Sequence, residues 1–199
     1  MATPTGLTEN QQLSFLIGEV VRLDASVTAT AHTVFREIHR ALGLVQPVSY
    51  GFDEMHQRAH ELLEDSGFDP DVVEAGRLSL GAAFGAHLEC IRLVQSLWKE
   101  HDHLSDAWVR RVDSQNGRQL PAPDAATITH FKACRTALDR AEHQLSAYVF
   151  VIPATEFDQD AVALLERSTL AIARGEFVID DSGRAEPTVQ PAEVPAQNI

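Results

Sequence analysis

Hydrophobic residues recur at every third or fourth position over long stretches of this chain, as expected for helices with one buried face. The first such stretch begins where Thr8 and Gln11 have the spacing of a capping box, and Gly43 followed by Pro47 predicts its end. Its predicted buried face comprises Leu13, Leu16, Val20, Leu23, Val27, Val34, Ile38 and Leu42. The pattern predicts a first helix of about thirty residues.

Two further helices are predicted in the next part of the chain. The segment "DEMHQRAHELLEDS" predicts a short helix from Asp53 that ends at Gly67. Asp69 followed by Pro70 is a strong helix start, because the carboxylate can cap free amides while proline takes the first helical position. From there "DVVEAGRLSLGAAFGAHLECIRLVQSLW" is helical in pattern, and the spacing of Val94, Leu97, His101, Leu104 and Trp108 allows the helix to continue.

Small residues are concentrated in the middle of this third helix. They are Gly76, Gly81, Gly85, Ala82, Ala83 and Ala86. Each interior glycine costs about 1 kcal/mol relative to alanine, which suggests a face where another backbone approaches closely. That face could lie inside the bundle or across a dimer interface, and the interior is favoured.

The second half of the chain predicts two more helices and a tail. Asp124 is a candidate cap for a fourth helix that Pro153 ends, and a fifth begins at Thr155 or Asp158 and closes at Gly175. These elements predict an all-α fold, an antiparallel bundle of four main helices plus a shorter one. We divide the chain into an N-terminal arm (1–12), a helical bundle domain (13–175) and a segment with a short hairpin and a disordered tail (176–199).

Composition narrows the range of functions. The 29 acidic residues outnumber the 16 lysines and arginines, so the formal net charge of −13 disfavours nucleic acid as a partner. No window has the length of apolar sequence that a membrane span or a secretory signal needs. Cys90 and Cys134 have no metal-type spacing, and we expect reduced thiols in a cytoplasmic protein without a cofactor.

Nine histidines raise the question of a metal site. His56 and His60 stand four residues apart and could chelate one ion from a helix, but Gln57 replaces the glutamate of the zinc-protease pattern. Two solvated histidines on an amphipathic helix are the simpler interpretation. In "WKEHDHLSDAW" (98–108), His101 and His103 would point to different sides of a continuing helix, which disfavours a shared metal.

The same stretch resembles the end of the motif of bacterial HEPN domains, which are helical bundles that often act as dimeric ribonucleases. In one variant the motif runs arginine, asparagine, three residues, histidine, two residues, tryptophan. Here Glu100, His101, Ser105 and Trp108 occupy those positions. The resemblance implies a degenerate site, since Glu100 would repel phosphate and Ser105 could not replace a histidine base. No arginine and histidine elsewhere in the chain have the motif's spacing.

Three functions follow, in order of preference. The first is a non-catalytic module that resembles a degenerate HEPN domain and binds another protein or itself as a homodimer, in a setting of bacterial defence or toxin regulation. The second is a divergent ribonuclease in which His101 or His103 transfers protons and Arg110 or Arg111 binds phosphate. The third is a metal-binding bundle that uses the two histidines of the second helix and a ligand from another helix.

Overall fold

A computed structural model describes residues 6, 8–45, 50–94, 97–101, 104–111, 125–152, 167–179 and 185–187. Its helices are α1 (Glu9–Ala41), α2 (Phe52–Glu64), α3 (Pro70–Val94) and α4 (Ile128–Val151), and residues 167–173 are also helical. Its strands are β1 (Leu97–His101), β2 (Leu104–Arg111), β3 (Ala125–Thr127), β4 (Phe177–Ile179) and β5 (Ala185–Pro187). Every side chain described as buried belongs to a helical segment. The fold class is therefore all-α, as the sequence predicts.

The predicted helix starts of α1 and α3 are confirmed. Thr8 Oγ1 accepts from the Gln11 amide at 3.4 Å while the Thr8 amide donates to Gln11 Oε1 at 2.9 Å, which completes the capping box. At α3, Asp69 Oδ1 accepts from the Asp71 amide at 2.8 Å, with Pro70 as the first helical residue. Gly43, with a φ of +66°, follows the end of α1 as predicted.

Contacts between the helices give their relative directions. Cys90 lies near Cys134 and Gly76 lies against Tyr148, so α3 and α4 are antiparallel. Ser26 Oγ donates to Glu142 Oε1, and a 4.0 Å ion pair joins Arg135 to Glu19. Residue numbers on α1 and α4 thus rise together, and these two helices are parallel.

The shorter α2 packs on α3 in the opposite direction. The Phe52 ring meets the His87 imidazole edge-on, and Leu63 at the other end of α2 lies close to Gly76. Where α1 and α4 end and α3 begins, the surface forms a cleft of about 230 Å³ lined by residues such as Arg40 and Val72. This packing leaves one side of α3 without a neighbour among the described helices.

The end of α3 and the start of α4 differ from the prediction. Helix α3 stops at Val94, and the stretch predicted to continue it forms an antiparallel hairpin of β1 and β2, to which β3 adds a third strand. Because β3 occupies residues 125–127, α4 starts at Ile128 and not at the predicted cap, Asp124, which lies outside the described residues. The helical spacing of Leu97, His101, Leu104 and Trp108 did not indicate these strands.

The C-terminal elements are described in part. Residues 167–173 are helical, and Gly175 follows with a φ of +75°, where the fifth helix was predicted to close. Strands β4 and β5 pair antiparallel within the stretch considered for a hairpin. The predicted start of the fifth helix and the predicted tail after residue 187 lie outside the described residues.

Candidate functional site

The degenerate motif lies on the β1–β2 hairpin and not on a helix. Glu100 pairs with Trp108 across the two strands, and His101 pairs with Leu104 where the register shifts. Ser105 is the next residue of β2. The motif residues therefore do not lie on one face of a helix here, and the resemblance in sequence stays a prediction.

The residues proposed for a ribonuclease are not brought together by the backbone of this hairpin. His101 is opposite Leu104 near the turn, whereas Arg110 and Arg111 pair with Trp98 and Leu97 at the far end. Six residues separate Leu104 from Arg110, which is about 20 Å of strand at roughly 3.3 Å per residue. His103 lies outside the described residues.

The two histidines of α2 lie side by side against α3. Their ring centroids are 4.5 Å apart, and the His56 ring stacks on Phe84 at 4.3 Å with an interplanar angle of 12°. The Nε2 atoms of both histidines are buried and have no hydrogen-bond partner. Within the described part of the chain, no group of three His, Cys, Asp or Glu side chains could hold a metal ion. The geometry thus places the predicted pair together, and the residues that the structure describes supply no third ligand.

Burial lowers the pKa of both imidazoles. For His56 the neighbouring His60 lowers the pKa further and Asp53 opposes the shift. For His60 the charge of Arg77 lowers the pKa further and Glu64 opposes it. Both rings therefore favour the neutral form, which for His56 suits its stacking on Phe84.

A second polar cluster, which the sequence did not predict, lies between α1 and α3. His87 Nδ1 donates to Asp24 Oδ1 at 2.8 Å, and Cys90 lies close enough to the same carboxylate for its charge to affect the thiol. Cys134 of α4 lies close enough for its charge to matter to Cys90. His87 and Cys90 stand three residues apart, so a helix places them on one side, but nothing local in the sequence identifies Asp24 as their partner.

This cluster has the residue types of a cysteine nucleophile site but not its electrostatics. Burial, followed by the charge of Asp24, raises the pKa of Cys90 to about 12. Burial also raises the pKa of Cys134 to about 12, with Glu89 as the next cause. A thiol reacts as the thiolate, and an activated cysteine needs a lowered pKa. Since the charge of Asp24 disfavours the Cys90 thiolate, and the bond from His87 to Asp24 links α3 to α1, the cluster joins these helices and does not activate sulfur.

The small residues of α3 divide between the inside and the outside of the bundle. A Cβ at Gly76 would lie 2.6 Å from Tyr148 Cζ and 2.8 Å from Leu63 Cδ1, so this glycine is required by packing. A Cβ at Gly81 or Gly85 would meet no heavy atom within 4 Å, and both glycines are exposed. The favoured interior explanation holds for the first glycine and fails for the other two.

The exposed glycines belong to a stripe that we name the α3 outer face. It consists of Glu74, Leu78, Gly81, Gly85, Leu88 and Arg92. The successive spacings are four, three, four, three and four residues, which is the seam spacing of a coiled coil. Leu78 and Leu88 have relative exposures of 45% and 46%, although a single exposed leucine is ordinary. The two glycines between them each weaken the helix by about 1 kcal/mol relative to alanine, with no described contact that requires them.

Comparison with known proteins leaves the chain without an assigned family. No protein-family model matches it, and no curated protein or solved structure does so.

Among the described helices, none has both the length and the apolar character that crossing a bilayer requires.

Proposed function

We propose that this protein is a non-catalytic helical module that acts by binding protein, either another protein or a second copy of itself. The α3 outer face carries this proposal, because its leucines and glycines form an apolar, small-residue surface that is exposed among the described residues, between end charges that pair within the chain. Interior glycines weaken the helix, and close contact with a partner would offset that cost.

The chemistry of the described polar groups supports a binding role. The buried thiols have raised pKa values, and Asp24 accepts a hydrogen bond from His87. The formal net charge of −13 opposes association with phosphate backbones. These features suit a scaffold better than a nucleophilic or phosphate-binding centre.

The finer parts of the proposal come from the sequence. The motif is the basis for proposing a relationship to degenerate HEPN domains and a setting of bacterial defence or toxin regulation. The two reduced cysteines are the basis for proposing a cytoplasmic location. A divergent ribonuclease remains the alternative on the same motif.

The proposal is tested by two assays on the purified full chain. Light scattering over a concentration series, together with affinity capture by the immobilised chain, should show self-association or a bound protein. A strict monomer that captures nothing would overturn the proposal. In parallel, RNA incubated with the protein should remain intact. Cleavage that is lost in a variant with His101→Ala and His103→Ala would establish the ribonuclease instead.

A further inference from the structure

The residue pattern of the α3 outer face is symmetric about its centre, except that its two end residues have opposite charges. Its members form pairs whose residue numbers sum to 166: Gly81 with Gly85, Leu78 with Leu88, and Glu74 with Arg92. The centre of this pattern is residue 83, in the middle of α3. At 100° per residue, all six positions lie within about 40° of one line along the helix.

We infer that the protein forms a symmetric homodimer in which two α3 helices pack antiparallel through this face. This inference rests on the proposed function and names its partner as a second copy of the chain. In a two-fold interface each residue meets its counterpart in the reversed order. Leucine would then meet leucine and glycine would meet glycine, with glutamate and arginine together at each end. A different protein as partner would not require this internal symmetry.

The two glycines determine how closely the helices can approach. In the antiparallel register Gly81 of one copy faces Gly85 of the other on both sides of the two-fold axis. Without side chains there, the helix axes can come closer than the usual separation of about 8–10 Å. Ala82, which is also exposed and small, borders the same contact. The leucines on either side of the glycines then close the apolar part of the interface.

Charge favours this face as the meeting point of two strongly acidic molecules. Each copy has a formal charge of −13, and Glu74 and Arg92 leave the α3 outer face with no net charge. Within one chain Glu74 is 3.5 Å from Arg174, and Arg92 bonds Glu89 at 2.6 Å. These ion pairs can be shared with the partner, since both end residues lie at the rim of the proposed interface. The opposite signs at the two ends favour the antiparallel direction, because parallel copies would place like charges together.

The size of the contact sets the expected strength. One helix pair buries less surface than the roughly 1,600 Å² of a standard interface. We therefore expect a reversible dimer with a dissociation constant on the order of micromolar. Because a two-fold interface is closed, association should stop at two copies.

Sedimentation velocity of the full chain across the micromolar range tests the inference. The weight-average mass should rise from that of a monomer to that of a dimer and then stay constant. Gly81→Leu should weaken association at least tenfold, because its side chain fills the space that the partner backbone needs. Gly18→Leu is the matched control, since Gly18 is an exposed helical glycine of α1 with nothing within 4 Å of a Cβ, and its dimer should be unchanged.

Misfolding can be separated from lost contact in the same experiment. Replacing a helical glycine that has open space around it should preserve or raise the midpoint of urea unfolding. A Gly81→Leu protein that unfolds at or above the wild-type midpoint and stays monomeric would support the interface. A dimer that persists in this variant would overturn it.

Disulfide trapping tests the antiparallel register. Gly81→Cys and Gly85→Cys proteins that carry tags of different length are mixed and treated with a mild thiol oxidant. The native thiols of Cys90 and Cys134 have raised pKa values and should react slowly, so they do not compete with the introduced cysteines. The antiparallel pairing predicts cross-links between the two variants, whereas a parallel pairing would link each variant to itself. Cross-links of the second kind would overturn the register.

The remaining outcomes distinguish this inference from the function on which it rests. A chain that is monomeric at all concentrations, yet captures a protein that Gly81→Leu does not, refutes the homodimer and leaves the binding function in place. A monomer that captures nothing removes both.

Discussion

Tyr148 and Gly76 show how one missing side chain fixes the packing of two helices. The Tyr148 ring is fully buried, its hydroxyl has no hydrogen-bond partner among the described atoms, and it lies directly over Gly76. Burial raises the pKa of the Tyr148 hydroxyl above its ordinary value. The aromatic ring therefore supplies packing, while the hydroxyl is a polar group buried at a cost.

Gly76→Ala should destabilise the protein by about 1–3 kcal/mol, because the added methyl group would overlap Tyr148 and Leu63. Gly81→Ala is the matched control on the same helix, and it should stabilise the monomer by up to about 1 kcal/mol. Urea unfolding of both variants measures the difference. Combining Gly76→Ala with Tyr148→Phe should recover part of the loss. Equal effects of the two alanine substitutions would contradict the packing argument.

His56 and His60 should make the stability of the protein sensitive to mild acid. Because their folded-state pKa values lie below the ordinary value of 6.5, the unfolded chain binds protons more readily than the folded protein. The free energy of unfolding should be fully retained above pH 6.5. It should fall as the pH drops from there towards the lowered pKa values, because the buried rings resist protonation.

A variant with His56→Gln and His60→Gln should lose most of this decline, measured as the change in unfolding free energy between neutral and mildly acidic pH. Thr136→Ala, which changes no ionisable group and lies at an exposed position of α4, is the control and should keep the wild-type slope. Comparing slopes removes any constant effect of the substitutions on stability. An unchanged slope in the double variant would show that other groups cause the acid response.

At the scale of the secondary-structure elements, local signals predicted starts and buried faces well. The capping box of α1, the Asp69–Pro70 start of α3 and the end of α4 two residues before Pro153 all depend on neighbouring residues, and all are present. In the helical pattern of α4, either Cys134 or Arg135 could face the core. The structure selects Cys134, whose side chain can be buried without leaving a charge unpaired.

What the sequence did not predict depends on contacts between distant residues. Leu97, Leu104 and Trp108 fit a helical spacing, yet β1 pairs with β2, and β2 also pairs with β3, which begins at residue 125. A short apolar stretch cannot distinguish helix from strand by periodicity alone. The bond between Asp24 and His87 spans 63 residues, so neither residue type nor spacing pointed to it. The sequence showed the small residues of the α3 outer face, but it did not show that this face is exposed.

The cap of α3 should contribute measurably to stability. Asp69→Ala removes the side-chain oxygen that accepts from the Asp71 amide, and should cost about 1 kcal/mol, whereas Asp69→Ser should keep most of the stability. Asp65→Ala is the control, because Asp65 lies at the C-terminal cap of α2, where an acidic residue is slightly unfavourable. Urea unfolding should show a loss for the first variant and none for the control. Equal losses would mean that general charge, and not capping, is responsible.

At the scale of the whole molecule, charge imbalance acts against the compact state. The described ion pairs are mostly exposed, as for Arg77 with Glu64, or join residues three apart on one helix, as for Arg40 with Glu37. Such pairs each contribute little. The net charge of −13 is spread over a chain of 199 residues, and its self-repulsion is present throughout the fold.

Added sodium chloride should therefore raise the free energy of unfolding at neutral pH. Salt screens both the repulsion between like charges and the attraction within ion pairs. At 0.15 M the screening length is about 8 Å, so repulsion between distant exposed acidic residues is reduced most. Urea, which is uncharged, is the appropriate denaturant, at protein concentrations low enough to keep the chain monomeric. A midpoint that rises with salt would show that net repulsion outweighs the ion pairs. A midpoint that falls with salt would show that the attraction of the ion pairs outweighs net repulsion. Contacts such as those of Arg174 with Asp71 and Glu74, which join the helical segment 167–173 to α3, would then have the larger role.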